Sequence, residues 1–328
     1  MKRILLILVL VTLPTLAFGC ASPAQETESV TVAYAPFESL GLVYVAEDRD
    51  MFSENGLDVT YREYDTGVGA LDGVLDGEAD IAVGTAEYPL VEKAFQGAQI
   101  SAFACIDRPD FIYLVGRKDH GIDGPSDLVG KRVGTVAGSI AQFYLGRFLE
   151  LNGMTADDID FVDLRTPEEW RQAIVDGRVD AVVLAQPEAS TVQGRLGGNA
   201  AFFSVQESQP VYTLAIATNE WIDENPDSVT RFLTSLAEAE EFVAENPDEA
   251  MRVIREKLDL DSEYMDVVRV QNSFTLSLDQ SLIIAMEDEA RWMIRSQLTS
   301  MTAVPDFSDY VYTDSLEQLK PDAVNIIR

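Results

Sequence analysis

Gly130-Lys131-Arg132-Val133-Gly134-Thr135-Val136-Ala137-Gly138-Ser139 compresses a strand, a turn and a helix start into ten residues. Lys131 to Ala137 alternates and is rich in small and β-branched side chains, the pattern of a strand. Gly138 permits a tight turn, and Ser139 is placed to cap a helix. Phe143, Leu145, Phe148, Leu149 and Leu151 follow at helical spacing. Such a unit leaves backbone N–H groups at the carboxyl end of a strand, where open α/β sheets bind ligands. Taken alone, the stretch is equally compatible with an ordinary strand-to-helix turn.

Working outward, the same alternation recurs on both sides. Toward the N-terminus, strands are expected at Val30–Ala35, Leu57–Tyr64, Ile81–Val83, Ile100–Ile106 and Phe111–Arg117. A helix is expected over Leu40–Asn55, ended by Gly56, with shorter ones before Leu75 and over Pro89–Gln96. Toward the C-terminus, strands are expected at Asp160–Leu164, Val179–Leu184 and Val211–Thr218. Thr166-Pro167-Glu168-Glu169 opens a helix with a cap, a proline in the first turn and a returning glutamate. Glu224-Asn225-Pro226-Asp227 and Glu245-Asn246-Pro247-Asp248 repeat one helix-opening tetrapeptide, with Asn as the cap. Asp279–Leu298 has the stripe of a long amphipathic helix.

Strands alternating with helices imply α/β architecture with doubly wound parallel sheets. An echo implies two such lobes. Leu75-Asp76-Gly77-Glu78-Ala79-Asp80-Ile81-Ala82-Val83 resembles Val175-Asp176-Gly177-Arg178-Val179-Asp180-Ala181-Val182-Val183. Each half ends a helix at Asp-Gly, carries an Asp in the turn and continues into an apolar strand.

The chain has 328 residues, enough for two lobes with their own cores, and its 47% hydrophobic content is that of a globular protein. Its net charge is −32, from 56 acidic and 24 basic residues, which argues against a nucleic-acid partner. Only six of the basic residues are Lys, a balance that resembles proteins of salty habitats. With one His, two Cys and no metal-ligand spacing between them, neither a metal nor another cofactor is expected. Gly-x-Ser-x-Gly elbows and P-loops are absent, so an enzyme is not the expectation.

The first twenty residues form a targeting segment: basic Lys2-Arg3, an apolar run Ile4–Leu13, then Leu16-Ala17-Phe18-Gly19-Cys20. This resembles the lipobox of bacterial lipoproteins and implies a lipoprotein signal over residues 1–20, with Cys20 as the residue that receives lipid. A plain secretory signal is the alternative. Residues 21–29 are polar, as a tether should be. Cys105 then remains alone in an apolar run and is expected as a core residue.

An ordered set of segments completes the reading. Gly41-Leu42-Val43-Tyr44-Val45-Ala46, Gly56-Leu57-Asp58-Val59, Asp76 to Gly84, Asp127-Leu128-Val129-Gly130 with the opening stretch, Gly177 to Ala181, and Asp309-Tyr310-Val311 occur in one order. Together they resemble the solute-binding proteins of ABC importers, in the group that spans sulfonate, taurine and nitrate binders and the NMT1/THI5-like pyrimidine binders. The likeness runs from about Val30 to Val311. It implies an extracytoplasmic, lipid-anchored monomer that captures a small solute and delivers it to a membrane permease with its ATPase. It also implies two lobes joined by two crossing strands: residues 30–116 and 211–328 as lobe I, residues 117–210 as lobe II. The crossings are expected near Gly116–Lys118 and Ser208–Val211, with the solute enclosed by hinge closure. The chain departs from the group at Gln186-Pro187, where Glu-Pro is common.

Loops at the carboxyl ends of strands then supply the ligand contacts. In lobe I these are Phe37, Glu38, Ser39, Thr66, Gly67, Thr85, Glu87 and Tyr88. In lobe II they are Gly138, Ser139, Gln142, Phe143, Arg165, Gln186 and Glu188. Phe37, Tyr88 and Phe143 are candidates to sandwich a planar solute. Glu38, Glu87 and Glu188 would match an amine, although acids also suit helix N-termini in so acidic a chain. An anion would rely on Arg165, Ser139 and backbone N–H groups. A neutral or amine-bearing, thiamine-pyrimidine-like heteroaromatic is therefore expected over a sulfonate, taurine or nitrate. A pyrimidine-synthase-like enzyme and a ligand-sensing subunit are the rival classes.

Overall fold

A computed structural model describes residues 27–206, 209–262 and 264–327. The targeting segment, Cys20 and most of the tether lie outside these residues. The described part of the tether, 27–29, already enters the first strand.

The first half of the chain contains β1 (Glu28–Tyr34), α1 (Gly41–Asp48), α2 (Met51–Glu54), β2 (Leu57–Glu63), α3 (Gly67–Leu75), β3 (Ile81–Thr85), α4 (Glu87–Phe95) and β4 (Ile100–Asp107). There follow β5 (Ile112–Arg117), β6 (Arg132–Thr135), α5 (Ile140–Leu151), β7 (Asp160–Asp163), α6 (Pro167–Val175), β8 (Ala181–Ala185), α7 (Glu188–Leu196) and β9 (Ala200–Ser204). The chain then returns through β10 (Thr213–Thr218) and ends in α8 (Asn219–Glu224), α9 (Pro226–Glu245), α10 (Pro247–Leu258), α11 (Tyr264–Gln271), α12 (Gln280–Arg295) and α13 (Asp314–Leu319).

Among the described residues ten strands make two sheets, ordered β2-β1-β3-β10-β4 and β7-β6-β8-β5-β9. The fully parallel expectation is corrected. In the first sheet β10 runs antiparallel to both β3 and β4. In the second, β5 runs antiparallel to β8 and β9. Each of these strands arrives from the opposite sheet, so it enters from the far end. No connecting helix reverses it, which a parallel neighbour would need.

The lobe boundary also moves. Phe111–Gly116 is expected to close lobe I, yet β5 is an interior strand of the second sheet, between β8 and β9. The first crossing is therefore residues 108–111 rather than Gly116–Lys118. The second lies between β9 and β10, and Ser208 falls outside the described residues. Gln206 ties the two crossings together: Phe111 N donates to its Oε1 at 3.0 Å and its Nε2 donates to Pro109 O at 2.7 Å.

The sequence echo has a structural cause. Thr31 N, in β1, donates to Asp80 Oδ2 at 2.7 Å, and Asp80 N donates back to Thr31 O. Arg132 N, at the head of β6, donates to Asp180 Oδ2 at 2.8 Å, and Asp180 N donates to Arg132 O. In each lobe the turn aspartate pins a neighbouring strand. Gly77 and Gly177 precede them at the same φ of 72°, a left-handed angle that a side chain resists.

Helix ends differ from expectation in three places. The helix over Leu40–Asn55 breaks at Asp50, whose φ is 59°. Asn225 and Asn246 do not cap the helices they precede; their side-chain amides donate back to Trp221 O and Phe242 O, closing the helices before them. Ser139 does not cap α5; its Oγ donates to Val136 O at 2.7 Å. Thr166 caps α6 as its sequence implies, accepting from Glu169 N at 3.3 Å. No helix among the described residues is long and apolar enough to cross a membrane.

Candidate functional site

A cleft with about 720 Å³ of empty space, part of it open to solvent, lies between the two sheets at the carboxyl ends of β1, β3, β6 and β8. From the first lobe come Phe37, Ser39, Thr66, Gly67, Val68, Gly84, Ala86 and Pro89. From the second come Thr135, Val136, Ser139, Ile140, Ala141, Trp170, Val183, Leu184, Ala185 and Glu188. Phe111, Ile112, Val211 and Thr213 bring the two crossings into the wall.

Local sequence explains why the walls hold their shape. Thr66 caps α3, accepting from Gly69 N at 3.1 Å. Gly67 packs so closely that a Cβ there would lie 2.3 Å from Gly84 O. Thr85, expected to face a ligand, is fully buried and donates to Gly67 O at 2.8 Å, so it braces the loop from beneath. Thr135 does the same across the second sheet, donating to Val183 O at 2.7 Å. The Trp170 indole donates to Leu164 O at 2.7 Å, which orients its ring.

Six of the fifteen expected ligand contacts line the cleft: Phe37, Ser39, Thr66, Gly67, Ser139 and Glu188. The aromatic sandwich is not formed as expected. Tyr88 and Phe143 are both buried and stack on each other at 5.8 Å, with Trp292 edge-on to Phe143 at 5.4 Å. They form an interior seam between α4, α5 and α12. The cleft's aromatic faces are instead Phe37, Phe111 and Trp170, with Phe37 and Phe111 edge to face at 6.3 Å. Phe111 and Trp170 carried no local signal; only the meeting of a crossing with a helix places them there.

The three glutamates separate in the same way. Glu38 is fully buried behind Phe37 and accepts from Tyr264 OH at 2.8 Å; burial pushes its carboxyl up to about 7. Glu87 is buried too, accepts from Tyr212 N at 3.0 Å, and is pushed up to about 7 by burial. Neither lines the cleft. Glu188 does, at the first turn of α7. Its Oε1 meets Arg171 Nη1 at 2.8 Å. Its buried Oε2 takes no hydrogen bond from the described residues.

Glu188 is the one charged residue among the described lining, and no basic side chain is present there. Arg165 is corrected as an anion contact: its side chain is 66% exposed and its Nε donates to Asp163 Oδ2 at 2.7 Å. Gln142 and Gly138 bond each other, Gly138 N to Gln142 Oε1 at 2.8 Å. Gln186 accepts from Ser190 N at 3.1 Å. The arrangement suits a flat, largely apolar solute with one donor aimed at a carboxylate.

Cys105 and His120 both lie away from the cleft. Cys105 is buried in β4 with its thiol pushed up to about 12 by burial. His120 Nδ1 meets Asp180 at 2.7 Å, at the opposite end of the second sheet from the cleft. No cluster of metal-ligating side chains occurs among the described residues.

Comparison with known proteins agrees with this fold. The alkanesulfonate-binding protein SsuA from Xanthomonas axonopodis pv. citri, solved bound to MOPS, has the same fold. Its TM-score is 0.77 at 17% identity, covering 88% of this chain and all of that one. YtlA of Bacillus subtilis, named as a candidate binding protein, is 28% identical over 67% of this chain. The match spans 65% of YtlA, just under two thirds of its length. The yeast (Saccharomyces cerevisiae) 4-amino-5-hydroxymethyl-2-methylpyrimidine phosphate synthase THI13 is 22% identical over 72% of this chain and 73% of its own. A family model described as NMT1/THI5 like matches residues 39–250, well over half of the sequence, and the chain therefore belongs to the NMT1/THI5-like family.

Proposed function

We propose that this protein is the extracytoplasmic solute-binding component of an ABC importer. It captures a neutral or amine-bearing, pyrimidine-like heteroaromatic between its lobes and delivers it to a membrane permease and its ATPase. The observation that carries the reading is the cleft itself: apolar and aromatic walls from both lobes, with Glu188 as the single charged lining residue among the described residues. A buried carboxylate oxygen without a partner favours a ligand N–H over a ligand anion. Phe37, Phe111 and Trp170 supply π-faces for a planar ring.

The family and the names of its members support capture of a small molecule. YtlA's name describes binding, while THI13's names the synthesis of a pyrimidine phosphate and so bears on the ring class alone. Closure turns on the crossings at 108–111 and between β9 and β10. The reading includes a monomer held to a membrane by lipid on Cys20, which incorporation of labelled palmitate and its loss in Cys20→Ser would test.

A thermal-shift titration of the soluble chain tests the ligand class, with 4-amino-5-hydroxymethyl-2-methylpyrimidine, other heteroaromatic amines, taurine, ethanesulfonate and nitrate. A true ligand at a hundred times its Kd adds about 2.7 kcal/mol of stability. The expected result is a shift with an amine-bearing ring, abolished in Glu188→Gln. A shift with ethanesulfonate or nitrate alone overturns the ligand class and leaves capture intact. Turnover of the pyrimidine would overturn the binding-protein reading.

A further inference from the structure

Two groups in this fold are suited to hold an anion beside the cleft, whose described lining includes neither Ala137 nor Arg165. One is the backbone of the 137–139 turn at the start of α5; Val136 and Ser139, on its two sides, line the cleft. The other is the guanidinium of Arg165. A single side chain occupies both. Ala137 N donates to Asp163 Oδ1 at 2.9 Å, and Arg165 Nε donates to Asp163 Oδ2 at 2.7 Å.

The rest of the turn is occupied as well. Gly138 N donates to Gln142 Oε1 at 2.8 Å, and Ser139 N to Val136 O at 3.4 Å. A second carboxylate reaches it from the first lobe: a Cβ on Gly138 would lie 2.3 Å from Glu92 Oε2. Asp163 ends β7, the edge strand beside β6, so register puts it level with Thr135, two residues before the turn's Ala137.

We infer that Asp163 is a specificity-determining residue, a resident carboxylate that fills the anion-binding groups beside the cleft and so excludes sulfonate- and nitrate-class solutes. The inference rests on the solute-cleft reading above and deepens it, because it names the residue that separates amine-bearing ligands from anionic ones. The physical basis is competition. An incoming anion must displace a tethered carboxylate from two charge-assisted or backbone hydrogen bonds, and meets the repulsion of Asp163 and Glu92 on approach. Removing the carboxylate frees Ala137 N–H and the Arg165 fork together, in a protein whose bulk charge otherwise repels anions.

The test is calorimetric titration of ethanesulfonate and nitrate, at fixed ionic strength, into wild type, Asp163→Ala, Asp163→Asn and the Asp163→Ala/Arg165→Gln double variant. Circular dichroism and melting temperature check the fold of each. The same wild-type sample is titrated with 4-amino-5-hydroxymethyl-2-methylpyrimidine. Asp163→Ala is expected to bind ethanesulfonate at least about tenfold more tightly than wild type. Asp163→Asn should show a smaller gain, since its amide still accepts from Ala137 N–H but no longer pairs with Arg165. The double variant should lose most of the gain. A merely structural aspartate would give loss of stability and no gain of a ligand. The inference fails if wild type binds ethanesulfonate as tightly as Asp163→Ala, or if folded variants gain nothing. Should Asp163→Ala not fold, Asp163→Asn decides alone. Anion gain in the variant with no pyrimidine binding by wild type would defeat the amine reading and leave the role of Asp163 standing.

Discussion

Glu87 Oε2 accepts a hydrogen bond from the backbone N–H of Tyr212 at 3.0 Å, tying the first turn of α4 to the segment that returns the chain to the first lobe. The carboxyl is buried, with Glu289 against it and Tyr144 and Tyr212 nearby, and no ion pair reaches it among the described residues. Burial raises Glu87 and Glu38 to about 7 from an ordinary 4.5, and raises Glu289 well above that value. The folded state thus holds these protons more tightly than the unfolded chain does. Their contribution is complete below 4.5 and is lost as pH climbs to about 7. Urea midpoints should fall between pH 5 and pH 7.5. Glu38→Gln and Glu87→Gln should each flatten the profile, by an amount on the order of 2–3 kcal/mol across that window. A midpoint that rises with pH, unaltered in both variants, would refute the assignment.

Gly146 of α5 meets Trp292 of α12 so closely that a Cβ would lie 2.1 Å from the indole Cζ2. Gly146→Ala should destabilise by about 1–3 kcal/mol despite its better helix propensity, because the seam is overpacked. Trp292→Phe should restore part of that loss, so a double-mutant cycle by urea denaturation should show strong coupling. Additive effects would mean the two side chains do not share the space.

The paired strand pins give a graded expectation. Asp80→Ala strands the Thr31 N–H and should cost about 1–3 kcal/mol. Asp180→Ala should cost more, because Arg132 N, the Arg132 guanidinium and His120 Nδ1 lose one partner together. Burial pushes the Asp180 carboxyl up, but its bonds to Arg132 and His120 outweigh this and hold it well below the usual carboxylate range. The pin therefore weakens only in strong acid, the opposite sign to Glu38 and Glu87. Equal midpoint losses for the two variants would contradict this.

Arg171 holds Glu188 from α6 without lining the cleft itself. Arg171→Gln should leave the melting temperature of the empty protein nearly unchanged and weaken an amine-bearing solute several-fold, less than Glu188→Gln does. Titration calorimetry of both variants decides it; equal affinity in Arg171→Gln and wild type would remove the positioning role.

What the sequence determined by itself was local. The alternation over Lys131–Ala137, of which Arg132–Thr135 becomes β6, the Asp-Gly turns before Asp80 and Asp180, and the cap at Thr166 follow from period, φ preference and hydrogen bonding within a few residues. The two-lobe architecture follows from the recurrence of that unit. Glu188 was legible because α7 begins at the end of a strand, and that end faces the cleft.

Tertiary structure decided the rest. Ile112–Arg117 has the composition of any buried strand, so nothing local shows that it crosses before pairing with β8 and β9. Tyr88, Phe143, Glu38 and Glu87 stand at helix starts as good as that of Glu188, yet packing turns the first two into a seam, buries Glu87 against Tyr212 and buries Glu38 against Tyr264. Arg165 and the 137–139 turn looked open to an anion until the register of β7 beside β6 brought Asp163 between them. Which loop a side chain belongs to is a property of sequence order. Which way it faces, and what has already taken its hydrogen bonds, depends on contacts between segments far apart in the chain, and no local period encodes those.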